Sequence, residues 1–205
     1  MDPAGIDAIL AHRHWVFDLD GTLTLPVHDF AAIREELGVP DGIDILRHID
    51  TLPPEMGQSL HDRLMAIEER LAHATAAAVG AESFIEGLQR RGDMVGVLTR
   101  NTRGNALRTL EAVGMGHFFR TEFIIGREEA LPKPEPDGIH KLAALWGVTP
   151  AAMVMVGDYL YDLQAGQAAG TTTVHIHGDL SSRWPEWTDL CVPTLKELAE
   201  RLPAL

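Results

Sequence analysis

From about residue 14 onward, short apolar runs alternate with amphipathic stretches of helical spacing, a rhythm that points to a parallel sheet covered by helices. The runs that predict strands are His14–Asp18, Met94–Thr99, Glu122–Ile125, Met153–Gly157, Thr172–His175 and the more weakly patterned Leu190–Val192. Between them, Ala106, Leu107, Leu110 and Val113 share one side of a helix expected from about Arg103 to Val113. Ile139, Leu142, Ala143 and Trp146 do the same from about Pro136 to Trp146, with Pro136 suited to the first turn and Gly147 to the exit. Thr194-Leu195-Lys196-Glu197 fits a capping box that opens a last helix.

Residues 27 to 80 break the alternation. They read as helical throughout, with Pro40, Pro53 and Pro54 as breakers, and Leu60, Leu64, Ile67, Leu71 and Ala74 form one apolar stripe within Glu55–Val79. A further helix, Ala81 to Arg91, leads back to the sheet. The expected fold is therefore α/β: a doubly wound parallel sheet forming a Rossmann-like core from residues 1–26 and 81–205. A small helical cap at 27–80 is inserted after the first strand.

A chain of 205 residues holds one good core, or one core and a small accessory unit. Its formal charge of −13 argues against a non-specific binder of nucleic acid or of anionic membrane. The single cysteine, Cys191, excludes an intrachain disulfide and any multi-cysteine metal site, and is expected as a small core residue. The N-terminal stretch lacks a basic start and apolar run, and no segment has the apolar length of a membrane span, so a cytoplasmic protein is expected.

Residues 16 to 24, Val-Phe-Asp-Leu-Asp-Gly-Thr-Leu-Thr, carry the most chemistry. An apolar strand delivers the carboxylates of Asp18 and Asp20 to its carboxyl end, where open α/β sheets bind ligands, and Gly21 permits a sharp exit. A solvated Asp-Gly turn explains the same residues. Three more polar positions fall at the same edge. Thr99 ends the second strand, Lys133 sits in the proline-flanked run Leu131-Pro132-Lys133-Pro134, and Asp158 and Asp162 follow the fourth strand. Singly, Thr99 reads as a strand end or a cap, Lys133 as solvated, and Asp158 as a cap. Together they supply what a phosphate site requires: a hydroxyl donor, a fixed cation, oxygen ligands for a metal and a nucleophile.

The ordered set Asp18-Leu19-Asp20-Gly21-Thr22, Thr99, Lys133 and Gly157-Asp158…Asp162 resembles the four motifs of the haloacid dehalogenase-like hydrolase superfamily. The resemblance is to its capped phosphatase branch, as in phosphoglycolate phosphatase-like proteins, and covers about residues 14 to 176. It implies Asp18 as the nucleophile that becomes an aspartyl-phosphate and Asp20 as the general acid and base. Thr99 and Lys133 match the residues that hold the transferring phosphoryl group. Asp158 matches the metal-ligating acid, joined by the Asp18 carboxylate and the Asp20 backbone carbonyl around Mg²⁺. Asp162 stands behind them, orienting Lys133 or metal-bound water. Dehalogenase members lack the second acid, so Asp20 favours phosphoryl chemistry. The implied activity is Mg²⁺-dependent hydrolysis of a small phosphorylated metabolite.

The chain departs from the phosphoglycolate phosphatase pattern after Leu23, where Thr24-Leu25-Pro26-Val27-His28-Asp29 replaces the usual Asp-Ser pair. Arg100 and Asn101 are candidate substrate contacts; Arg100 meets a second anionic group or points to solvent. His28 and Arg47 are weaker candidates. A phosphosugar mutase of the β-phosphoglucomutase type shares the covalent chemistry but needs a second phosphate site; Arg34, Arg47, Arg63 and Arg70 are the arginines available in the cap. Residues 27–80 hold no lysine, which argues against Schiff-base phosphonate chemistry. A phosphoryl-accepting signalling domain or a non-catalytic binding protein is the alternative of another class. His175 and His177 read as surface or core histidines, and Trp184 and Trp187 as packing of a C-terminal loop. Oligomeric state is left open.

Overall fold

The computed structural model describes residues 3–179 and 183–202; the first two residues of the N-terminal stretch read above lie outside that range. Six strands, β1 (His14–Phe17), β2 (Met94–Leu98), β3 (Ile124–Ile125), β4 (Met153–Gly157), β5 (Thr172–Ile176) and β6 (Leu190–Val192), form one all-parallel sheet in the order β3-β2-β1-β4-β5-β6. Strands buried on both faces need continuous apolar sequence, and each face has its own cluster. Trp15, Phe17, Val95, Val97, Val154 and Val156 pack on one side with Phe84, Ile85 and Leu88. Val16, Leu98, Met153 and Met155 pack on the other with Ile139, Leu142 and Ala165. The alternation of Trp15, Val16 and Phe17 between the two clusters is the period-two geometry of a strand.

The helices are α1 (Pro3–Leu10), α2 (Phe30–Leu37), α3 (Ile45–Asp50), α4 (Pro54–Ala72), α5 (Ala81–Arg90), α6 (Arg103–Ala112), α7 (Asp137–Trp146), α8 (Leu160–Ala169) and α9 (Leu195–Ala199). Among them, α1 has no counterpart in the sequence reading, and α8 is foreseen only as the helix that Asp158 would cap, without bounds. The first buries Ile6, Ile9 and Leu10, a spacing that was present to be read. The second buries a face made of Asp162, Leu163, Ala165 and Gly166, with Gly166 packed closely against Met155 and Thr173, so an acid and two small residues blur its amphipathic signature. No described helix is long and apolar enough to cross a membrane.

Helices α2, α3 and α4 enclose a separate cluster of Ile33, Leu37, Val39, Ile49, Leu60, Leu64 and Ile67. Asp29 caps α2 and Asp44 caps α3 through backbone N–H groups, which explains where those helices start. The expectation of helix through Val79 is corrected: α4 stops at Ala72. The chain beyond it instead bonds the outgoing connection, with Leu25 N donating to Ala76 O at 2.8 Å and Ala78 N to Leu23 O at 2.9 Å. Outgoing and returning connections thus run antiparallel beside β1.

Candidate active site

Sheet order reverses direction between β1 and β4, the place where open α/β sheets bind ligands. Asp18 lies one residue past β1, Thr99 one past β2 and Asp158 one past β4. Strand pairing aligns Phe17 with both Val97 and Val156, and Asp18 N still bonds Val156 O at 2.9 Å. The sheet's parallel register therefore brings three distant residues to one edge. Gly21, at φ 97°, turns the chain beneath Asp158; any Cβ there would collide with that carboxylate. Thr22 donates its hydroxyl to Asp158 Oδ1 at 3.3 Å.

Lys133 reaches this edge from the loop before α7 and is only 2% exposed. Its ammonium bonds Asp18 Oδ1 and pairs with Asp162 Oδ1 at 2.6 Å. The other oxygen of Asp162 accepts Tyr159 N at 3.0 Å, closing the first turn of α8. Both Asp162 oxygens are thereby bonded, one to Lys133 and one within α8. Burial alone lowers the lysine's pKa, but Asp162 and Asp18 outweigh it and push it up to about 12. For the acids burial acts in the other direction and dominates. Burial raises Asp18 well above an ordinary carboxylate, with Asp162, Asp158 and Asp20 adding to the rise and Lys133 opposing it. Asp158 is pushed up to about 7 by burial and by Asp162.

One oxygen from each of Asp18, Asp158 and Asp162 lies within 4.8 Å of the others. Lys133 pairs with Asp18 and Asp162 while Asp158 adds a third carboxylate, so the cluster carries surplus negative charge. An all-oxygen donor set with surplus negative charge fits a hard divalent cation.

Asp20 stands at the mouth, partly exposed, with Asn101 Nδ2 at 3.4 Å from Oδ2 and His28 Nδ1 at 3.8 Å from Oδ1. Asn101 is itself positioned by its backbone N–H, which donates to Thr99 Oγ1 at 3.0 Å. His28 stacks on Phe30 at 5.6 Å between ring centres. The structure therefore gathers Asp18, Asp20, Thr99, Lys133, Asp158 and Asp162 at one edge, with Asn101 and His28 beside Asp20. Arg47 is exposed, and its backbone N–H bonds Asp44. Arg100 is neither solvated nor vacant: its guanidinium pairs with Asp44 of the insertion at 2.7 Å and lies 4.8 Å from the centre of the Tyr161 ring.

Two acids of the insertion reach the core beside the site without a signal in the sequence. Besides Asp44, Glu68 on α4 makes a two-pronged pair with Arg127, at 2.8 and 2.9 Å. His175, buried on β5, has Nε2 3.2 Å from the backbone carbonyl of Asp158 and stacks on His177 at 5.2 Å. Trp184 packs against Tyr159 and His175, the packing role expected of it. Cys191 lies in β6, and burial raises its thiol pKa.

A family model described as haloacid dehalogenase-like hydrolase matches residues 15–176. An uncharacterised hydrolase of Saccharomyces cerevisiae is 33% identical over 203 residues, spanning 96% of this chain and 93% of the yeast protein. A phosphoglycolate phosphatase of Pasteurella multocida is 26% identical over 185 residues, spanning 77% of this chain and 82% of that protein. The crystal structure of a hydrolase from Pseudomonas syringae shares the fold with a TM-score of 0.77 at 22% identity, covering 93% of this chain and 97% of that one. Likeness that runs through the motifs, most of the length and the fold has one explanation. This chain belongs to the haloacid dehalogenase-like hydrolase family, and within it resembles the phosphoglycolate phosphatases.

Proposed function

We propose that the protein is a Mg²⁺-dependent phosphatase that hydrolyses a small phosphate monoester through an aspartyl-phosphate on Asp18. The observation that carries the reading is the pairing of roles: a buried Asp18 held by Lys133, and a more open Asp20 held by Asn101 two residues on. In the first step an Asp18 oxygen attacks phosphorus, the ester P–O bond breaks, and Asp20 gives its proton to the departing alkoxide. In the second, Asp20 takes a proton from water as that water attacks phosphorus, releasing phosphate and restoring the Asp18 carboxylate. Lys133 and Thr99 hold the phosphoryl oxygens through both steps. Asp18, Asp158 and the Asp20 backbone carbonyl would hold Mg²⁺, which supplies positive charge for the phosphoryl oxygens among these carboxylates. Residues 27–80 serve as the cap over the mouth. Similarity to a phosphoglycolate phosphatase supports phosphate chemistry. The mutase reading draws less support, because Arg63 and Arg70 of the insertion are engaged by Glu36.

The test is phosphate release from an aryl phosphate and a panel of metabolite phosphates with Mg²⁺ present. Turnover is expected in the native protein and a loss of at least about 10³-fold in Asp18→Asn. Retained turnover in that variant, or none in the native protein, refutes the reading.

A further inference from the structure

Each arginine that the core sets beside the mouth meets a carboxylate from the helical insertion: Arg100 meets Asp44, and Arg127 meets Glu68. The Arg100 pair bears on the reaction. Arg100 directly follows Thr99, and its guanidinium lies over Tyr161, which sits between Asp158 and Asp162. The cation is thus held between two of the loops that build the site. Asp44 engages it fork to fork, Oδ2 at 2.7 Å from Nη1 and Oδ1 at 2.8 Å from Nη2, with both side chains about three-quarters covered. Asp44 is fixed in turn, since it caps α3 by accepting the Arg47 N–H at 3.1 Å. Although burial works against it, the hydrogen bonds from Arg100 and from Arg47 N hold the Asp44 carboxyl below the usual range.

We propose that Asp44 is a specificity-determining residue: by occupying Arg100 it denies that cation to a second anionic group of the substrate, so the enzyme favours phosphate monoesters of uncharged alcohols. A carboxylate or second phosphate on the leaving group would have to displace Asp44 and then lie beside it, a repulsion that a hydroxyl does not meet. Lys133 offers no substitute, because it lies beside Asp18 and serves the transferring phosphoryl group itself. The proposal rests on the phosphatase reading for its substrate class, and its test separates the two.

Binding of 3-phosphonopropionate and of 3-hydroxypropylphosphonate, a matched pair that cannot be hydrolysed at the C–P bond, is measured by calorimetry with Mg²⁺. The native protein is expected to favour the hydroxyl probe. In Asp44→Asn, which retains an acceptor for the α3 cap, the carboxylate probe should gain about tenfold in affinity while the hydroxyl probe stays within about twofold. Adding Arg100→Met should abolish that gain. Equal shifts for both probes, no shift for either, or a gain that survives loss of Arg100 overturns the assignment. Phosphate release from 2-hydroxyethyl phosphate and from 2-phosphoglycolate is measured alongside. Absence of release with the binding pattern intact removes the phosphatase reading and leaves the Asp44–Arg100 discrimination supported.

Discussion

Asp158 shows how a functional residue works against the fold that carries it. Its carboxyl stands at about 7 in the folded protein against 3.8 for a free aspartate, raised by burial and then by Asp162. Asp18 is raised in the same direction. Between these limits the folded state binds more protons than the unfolded one, so the metal-free protein loses stability as pH rises from about 4 through about 7. Each pH unit of such a gap is worth about 1.4 kcal/mol for one group, before relaxation reduces it. The sign for Lys133 adds to the trend only at high pH: its contribution is intact below about 10.5 and lost as pH rises through about 12. Metal-free protein should therefore melt about 3 °C or more lower at pH 8 than at pH 5.5, and Mg²⁺ should reverse most of the difference. Asp158→Asn should flatten this dependence and melt higher at pH 8, yet lose about 100-fold in phosphatase activity. Thermal melts at the two pH values, with and without Mg²⁺, check the sign; a native Tm that rises with pH would contradict it. Asp18, Thr99, Lys133 and Asp158 were legible in the sequence because each follows an apolar run or stiff loop that marks a strand end. Asp44 and Glu68 were not, because their partners Arg100 and Arg127 lie in core loops far along the chain and no local spacing announces them.

Among elements, α4 decides how the helical insertion meets the core. It packs along α6, and Glu68 reaches from it to Arg127, the residue after Gly126 in the loop beyond β3. Both side chains are nearly covered, 10% and 6% exposed, and burial raises the Glu68 carboxyl despite two hydrogen bonds from Arg127. Arg127 also donates to the Arg100 carbonyl at 3.0 Å, so this pair braces the loop that follows Thr99. Removing one member of a buried pair leaves the other charge without its partner, at a cost of about 3 kcal/mol or more. Glu68→Ala and Arg127→Ala should each show that loss in urea unfolding. The double variant Glu68→Met with Arg127→Leu should recover most of it, since apolar packing replaces two desolvated charges together. Equal losses in single and double variants would show instead that the ion pair itself, and not its packing, stabilises this contact. The apolar stripe of α4 was readable as far as Leu71, but its end was not. Helical spacing persists to Ala74, and only the return connection, bonded at Ala76 and Ala78 to Leu25 and Leu23, halts the helix. A terminus set by a partner 50 residues away leaves no trace in a local pattern.

At the scale of the whole molecule, the parallel sheet collects acids at one edge of a chain that already carries −13. The rhythm of apolar runs pointed to a parallel sheet covered by helices but not to the order of its six strands, which sets β1 between β2 and β4 and the reversal beside Asp18. What that rhythm did not contain is the field around the site, which depends on how surface charges are distributed once the fold is made. Asp18, Asp20, Asp158 and Asp162 gather at this edge with Lys133 already bound by two of them. The two arginines nearest the mouth are neutralised by Asp44 and Glu68. Under the proposed activity, a dianionic substrate therefore approaches against net repulsion until it meets Lys133 and the cation proposed for these acids. Screening weakens repulsion over distance, and the Debye length shortens from roughly 20 Å at 20 mM monovalent salt to about 8 Å at 150 mM. With Mg²⁺ held saturating, kcat/KM should rise about two- to threefold across that range, while kcat, set after binding, changes little. Steady-state kinetics in NaCl and in potassium acetate distinguish screening from a specific ion effect, since screening gives the same rise in both. A fall in kcat/KM with salt would instead mean that a positive local field steers the substrate, and would count against a mouth whose arginines are already paired.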